Sequence, residues 1–224
     1  MQIPLSQKMP PVPKTIVYID GFNVYYNLVR NTNHKWLNLR ELLEYVFPKT
    51  HNDIVSIKYF TALIKTRRKD PDQLIRQQTY IRALETIQGL EVIYGSFLTN
   101  PVFMPLVMCE RCVTLGPIMQ VLKTEEKGSD VNLATHLIKD GCQGNFDVAI
   151  VITNDSDFAL PIGMVRDEFK KTIIVGYPTP KVSGRLSSAA TFVRRIRRGN
   201  LLMKFQFPQT LTDKIGTITK PATW

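Results

Sequence analysis

Apolar positions along the chain fall into two kinds of run. Thr15-Ile16-Val17-Tyr18-Ile19 and residues 148–152 are short, unbroken β-branched and aromatic stretches bounded by turn residues, the pattern of strands buried on both faces. Residues 54–64 alternate, and 90–94 and 172–175 also read as strands. Between them lie segments of helical spacing. Residues 37–47 carry apolar side chains at 39, 42, 43, 46 and 47 and stop at Pro48; a second helix runs from Pro71 to about residue 87 and ends at Gly89. Residues 131–138 and 158–169 complete the set, the latter with an early proline at 161. Strands alternating with helices predict an α/β fold, a three-layer α/β/α sandwich on a mostly parallel central sheet.

Residues 96–117 hold three prolines and two cysteines without a clear period and predict an excursion or hairpin, with 118–122 as its returning strand. Residues 1–13, with four prolines, read as a mobile leader, 14–204 as one domain and 205–224 as a C-terminal tail. With 224 residues and 44% hydrophobic content, the chain has enough apolar side chains for a real core. No apolar run approaches the roughly 18 residues of a membrane span, and no signal-peptide order opens the chain. The expectation is a soluble, cytoplasmic protein without membrane contact, its three cysteines reduced.

Charge changes this picture. The net charge is +10, which favours a polyanionic partner. It is unevenly spread: residues 58–82 carry seven basic and two acidic groups and 164–204 carry ten and two, whereas 83–163 carry four and ten. Carboxylates clustered beside a phosphate-binding face repel the ligand unless a cation lies between them, so the pattern points to metal-assisted phosphate chemistry.

The acids sit where parallel sheets place function, at the carboxyl ends of strands. Asp20 follows the first strand directly, Asp155 and Asp157 follow the run at 148–152, and Asp130 opens a helix. Singly, each reads as a turn residue or helix cap. Together, Asn154-Asp155-Ser156-Asp157 offers more oxygens than one helix start uses, and an all-oxygen set suits Mg²⁺ or Mn²⁺. Such a site works without histidine, and His34, His51 and His136 all fall outside these motifs.

Asp20-Gly21-Phe22-Asn23, the stretch from Lys123 to Ala134, and Thr153-Asn154-Asp155-Ser156-Asp157, in this order, resemble the NYN domain proteins, a branch of the PIN-like nuclease superfamily, in the bacterial LabA-like group. The resemblance spans about residues 16–196 and implies a PIN-like fold and metal-dependent ribonuclease activity. It assigns Asp20, Asp130, Asp155 and Asp157 to the metal site and Asn23 to ordering it; Glu125 and Glu126 lie within the match without an assigned role.

Basic residues Arg67, Arg68, Lys69, Arg185, Arg194, Arg195, Arg197 and Arg198 suit a phosphate-tracking groove, against the plainer reading of a solvated helix face. Phe22, Tyr25 and Tyr26 suit either core packing or stacking on unpaired bases. Cys109 and Cys112 have zinc-knuckle spacing but lack a second pair. No Walker loop or dinucleotide glycine fingerprint appears. The leading expectation is a metal-dependent endoribonuclease on single-stranded or loop RNA, with DNA an open alternative substrate and a homo-oligomer an open assembly state. A non-catalytic RNA-binding adaptor and a small-ester phosphatase are the competing classes.

Overall fold

A computed structural model describes residues 11–66, 70–106 and 118–224. β1 (Lys14–Asp20) runs into a single helical turn, α1 (Gly21–Val24), which continues as a π-helical turn over Tyr25–Val29. Then follow α2 (Leu39–Val46), β2 (Asp53–Thr61), α3 (Gln73–Glu85) and β3 (Leu90–Tyr94). A hairpin of β4 (Ser96–Pro105) and β5 (Ile118–Lys127) leads to α4 (Ser129–Cys142) and β6 (Val148–Ile152). A 3₁₀ turn (Ser156–Phe158) opens α5 (Ala159–Asp167), and β7 (Thr172–Tyr177), α6 (Gly184–Ala189), β8 (Phe192–Arg195) and α7 (Asn200–Lys204) follow. The chain closes with a small hairpin, β9 (Thr210–Thr212) and β10 (Thr217–Thr219).

Six strands form one sheet in the order β3-β2-β1-β6-β7-β8, every neighbouring pair parallel. The chain builds outward from β1 in one direction, then returns to its other side with β6 and builds outward again. β1 and β6 therefore flank the switch point, the crevice where open parallel sheets bind ligands. Alternation along these strands feeds both layers. Val17, Ile19, Ile150 and Ile152 pack into the core shared with α2 and α3, while Ile16, Tyr18, Ala149 and Val151 pack into the core shared with α4 and α5. This double burial is why both runs lack polar residues.

Several details depart from the pattern-based expectation, each for a local reason. α4 starts at Ser129 because Gly128 turns the chain with φ +96 and the Glu126 carboxylate accepts from the Ser129 N–H at 2.9 Å. Residues 96–105 and 118–127 pair along their whole length, from Ser96 opposite Lys127 to Pro105 opposite Ile118, so the returning strand is longer than 118–122. The arginine-rich run at 194–198 is not helical: Arg194 and Arg195 end the sheet-edge strand β8, and Arg197 and Arg198 lie in the loop beyond it. Residues 205–224 pack on the domain: Phe207 and Ile218 are buried, the Trp36 indole N–H donates to the Pro208 carbonyl at 2.8 Å, and Arg82 pairs with Asp213. Arg67, Arg68, Lys69, Cys109 and Cys112, and leader residues 1–10, lie outside the described residues. Among the described residues, no helix is long and apolar enough to cross a membrane.

One buried ion pair ties α4 to the sheet. Lys58 on β2 meets Asp140 at 2.5 Å, with side chains 13% and 7% exposed, and Asp140 also accepts from the Tyr18 hydroxyl at 2.7 Å and the Asn145 amide at 3.1 Å. Burial pushes the Asp140 carboxyl up, but the bonds from Lys58, Tyr18 and Asn145 outweigh it and hold the group below its usual range. Its contribution to stability is thus complete above the unfolded-state pKa and is lost as pH falls through the lower folded value. Asp140→Ala strands the Lys58 ammonium and is expected to cost about 3 kcal/mol or more in urea denaturation at pH 7; a loss under about 1 kcal/mol would show that Lys58 reaches water instead.

Candidate active site

Asp20 ends β1 and is 7% exposed. Its Oδ1 caps the following turn by accepting from the Asn23 N–H at 2.9 Å, and its Oδ2 accepts from the Thr153 hydroxyl at 2.9 Å. Thr153, fully buried just beyond β6, also accepts from the Asp155 N–H at 3.1 Å through the same oxygen. One hydroxyl therefore bridges the acids at the two sides of the switch point. Asp155 in turn accepts from the Asp157 N–H at 3.0 Å, fixing the 3₁₀ turn that presents Asp157 to solvent.

Two asparagines brace this arrangement. The Asn23 side-chain oxygen accepts from the Asn154 N–H and from the Asn27 amide, both at 3.2 Å, joining the helix after β1 to the loop after β6. The Asn154 side chain donates to the Lys181 carbonyl at 3.1 Å and accepts from the Ser183 N–H at 2.8 Å, which pins the loop after β7 to the same edge. Asn154 is thus committed to holding backbone. Asn154, which the sequence offers among the oxygens of the acidic motif, instead holds backbone, and Thr153, within the same motif, carries a bridging role that the motif alone does not reveal.

The electrostatics couple the carboxylates in pairs. Asp20 is pushed up to about 6, by burial first, with the charges of Asp130 and Asp155 adding to it against the bonds from Asn23 and Thr153. Asp130, in the first turn of α4, is raised by burial and then by Glu126, Asp155 and Asp157. Asp130 and Asp155 are thus felt at Asp20, and Asp155, Asp157 and a further acid, Glu126 at the base of the β4–β5 hairpin, are felt at Asp130. Among the described residues, no three His, Cys, Asp or Glu side chains are grouped so that they could hold a metal ion as they stand. The donor chemistry still fits a hard divalent ion. Mg²⁺ is held through one or two carboxylates and keeps several waters, each Asp20 oxygen retains a lone-pair position beyond its one hydrogen bond, and a cation would relieve the repulsion that raises Asp20 and Asp130.

The cations approach from one side. Arg198 donates to the Asn27 carbonyl, and Asn27 bonds Asn23, so this guanidinium adjoins the Asp20 turn. Asn154 draws the Lys181 segment to the same edge, with exposed Arg185 beginning the next helix. Arg194 lies apart: it lines a shallow pocket with Phe47, Pro48 and His51 on the α2 side of the sheet.

A second cleft opens next to Asp20. Gly21, Phe22, Tyr25 and Tyr26 form one wall, and Tyr59, Tyr80 and Trp224 form the others. Phe22 and Tyr26 stack at 6.5 Å between centroids, and the π-helical turn gives this aromatic run its register.

The NYN domain family model matches residues 14–196. The chain belongs to the NYN domain family. That is a nuclease family linked to RNA, and the acids described above lie within the matched span of this NYN domain. A Pseudomonas putida protein named 6-hydroxy-3-succinoylpyridine 3-monooxygenase HspA is 32% identical over 248 residues, covering 98% of this chain and 78% of the relative. A crystal structure of a protein of unknown function from Vibrio parahaemolyticus superposes with a TM-score of 0.55 at 18% identity, covering 90% of this chain and all of that one. The structural likeness establishes the fold alone, helices on both faces of a parallel six-stranded sheet.

Proposed function

We propose that this NYN domain protein is a metal-dependent endoribonuclease that hydrolyses phosphodiester bonds of single-stranded or loop RNA. The observation that carries the reading is that Asp130 and Asp155 both act on Asp20 at the switch point between β1 and β6, raising its proton affinity, while Asp155 also raises that of Asp130. Asp20, Asp130, Asp155 and Asp157 are the residues that would hold Mg²⁺ or Mn²⁺. An ion bound there supplies positive charge for the phosphodiester transition state and an acidified water as nucleophile.

The chain's own residues do the rest. Thr153 fixes Asp20 and Asp155 relative to one another, and Asn23 orients the loop that carries Asp155. Arg198, Lys181 and Arg185 lie on segments tied to Asn23 and Asn154 and suit phosphates of the strand on either side of the cut; Arg67, Arg68, Lys69, Arg195 and Arg197 would extend that contact, whereas Arg194 lies apart from it. Asp155→Asn should reduce cleavage of labelled single-stranded RNA by roughly 10²-fold or more in Mg²⁺ or Mn²⁺, and chelator should stop the parent. Equal rates for parent and variant would sink the proposal.

The P. putida relative's name supports a second reading, oxygenation of a small hydroxypyridine. The first strand–helix turn argues for the nuclease instead: Asp20-Gly21-Phe22 places a carboxylate where dinucleotide-binding sheets place phosphate-cradling glycines. Oxygen uptake on adding a hydroxypyridine and a reduced nicotinamide, with no RNA cut under any metal, would favour the second reading.

A further inference from the structure

The aromatic cleft beside Asp20 plays no part in holding the acids together. It encloses a cavity of about 80 Å³ within roughly 750 Å³ of space that continues into open solvent. A single benzene ring occupies an apolar cavity on the order of 150 Å³, so the enclosed part alone is too small for one and a flat ring would lie partly in the open mouth. Its walls are not closed core. Phe22 and Tyr25 are only partly buried, and Tyr26 is 51% exposed.

Polar groups face this space. Tyr59 is 7% exposed and lines the cleft, and among the described residues its hydroxyl has no hydrogen-bond partner, whereas the neighbouring Tyr80 hydroxyl donates to the Leu37 carbonyl at 2.9 Å. The Tyr59 hydroxyl is free to bond a ligand or water in the cleft. Gln73 brings a side-chain amide to the same cleft, while Gln77 is committed to the backbone of Ala62 and Ile64. Stacking surfaces with a few hydrogen-bonding groups at their edge suit a flat heteroaromatic ring, and the one cation among the described lining residues, Lys35, already donates to the Thr32 carbonyl at 3.0 Å.

We propose that this cleft receives one unpaired nucleobase of the RNA strand, stacked on the Phe22–Tyr26 wall and bonded at its edge by the Tyr59 hydroxyl. The proposal rests on the RNA-cleaving reading. Gly21 and Phe22 directly follow Asp20 in the chain, so a base seated here belongs to a nucleotide beside the phosphate at the acids. Seating requires that base to be unpaired, which would make the cleft the source of a preference for single strands and loops.

The test uses full-length Asp155→Asn protein, which binds without cutting, and short single-stranded RNAs each carrying one abasic position, with fluorescence anisotropy as the readout. One abasic position should weaken binding about fivefold or more while its neighbours change it little, and Tyr26→Ala should erase that position's sensitivity. A flat abasic profile, or no RNA binding, overturns the proposal. Trp224 fluorescence, compared with Trp224→Phe, reports the occupant directly. Quenching by free nucleosides supports the base; quenching by a free hydroxypyridine alone, with a flat abasic profile, assigns the cleft to a small molecule and overturns it. The two readings fail separately. A parent that cuts no RNA yet keeps the single-position profile loses the nuclease and keeps the base site, while cleavage with a flat profile does the reverse.

Discussion

Asp20→Asn should stop RNA cleavage and, in chelator at neutral pH, make the protein more stable. The Asp20 carboxyl titrates near pH 6 in the folded chain against an ordinary value of 3.8, chiefly through burial and then through the Asp130 and Asp155 charges. At about 1.4 kcal/mol per unit, the ionised group costs the fold on the order of 3 kcal/mol. The sign follows from proton binding: between about pH 4 and 6 the native state holds the proton more tightly than the unfolded chain. Stability therefore falls as pH rises through that window and is level above it. Asparagine removes the charge and keeps the geometry, since its oxygen can cap the Asn23 N–H and its amide can donate to the Thr153 hydroxyl. A gain of about 1–3 kcal/mol is expected, or a Tm rise of roughly 3–10 °C for a chain of this size. Melts in chelator at pH 4.5 and 7.5 check it: the difference should shrink at the lower pH. Mg²⁺ or Mn²⁺ should raise the parent's Tm at pH 7.5 and the variant's much less. A variant less stable than the parent at pH 7.5 would show that Asp20 is a structural cap and not a strained functional group.

Such strain explains why this part of the site was legible in the sequence. Asp20 directly after a doubly buried strand can be read as a cap, but acids in three successive motifs, at Asp20, Asp130 and Asp155, are harder to explain as caps alone. β1 and β6 were legible for the same reason, as unbroken apolar runs. Other features depend on tertiary closure. Thr153 is one hydroxyl at a strand end, and nothing in its neighbours reveals that it bridges Asp20 and Asp155. β8 is four residues, Phe192-Val193-Arg194-Arg195, too short for a period and defined only by its pairing to β7. Trp224 joins the aromatic cleft through an edge contact with Tyr80, 5.8 Å between centroids, from the opposite end of the chain. Trp36, fully buried, holds the segment read as a tail through its bond to Pro208.

Gly21→Ala should damage both fold and site. A Cβ at residue 21 would lie 2.6 Å from the Phe60 carbonyl oxygen, 2.7 Å from Tyr59 Cζ and 2.8 Å from the Tyr59 hydroxyl. The carbonyl belongs to β2, where Phe60 pairs with Asp20 itself, so it cannot swing aside as a flexible side chain does. The turn must move away from the strand, carrying the Asp20 cap and the Asn23 bridge with it. Overpacking of this kind costs about 3 kcal/mol, a Tm loss of roughly 6–12 °C, and the displaced Asp20 should take cleavage with it. Gly163→Ala in α5 is the control: nothing lies within 4 Å of the added methyl, and alanine is the better helix former by roughly 0.5–1 kcal/mol, so its melt should match or exceed the parent's with activity intact. If Gly21→Ala melted with the parent and still cut RNA, the close approach of the first strand–helix turn to β2 would not be what positions Asp20, and the site would have to be set from the β6 side through Thr153.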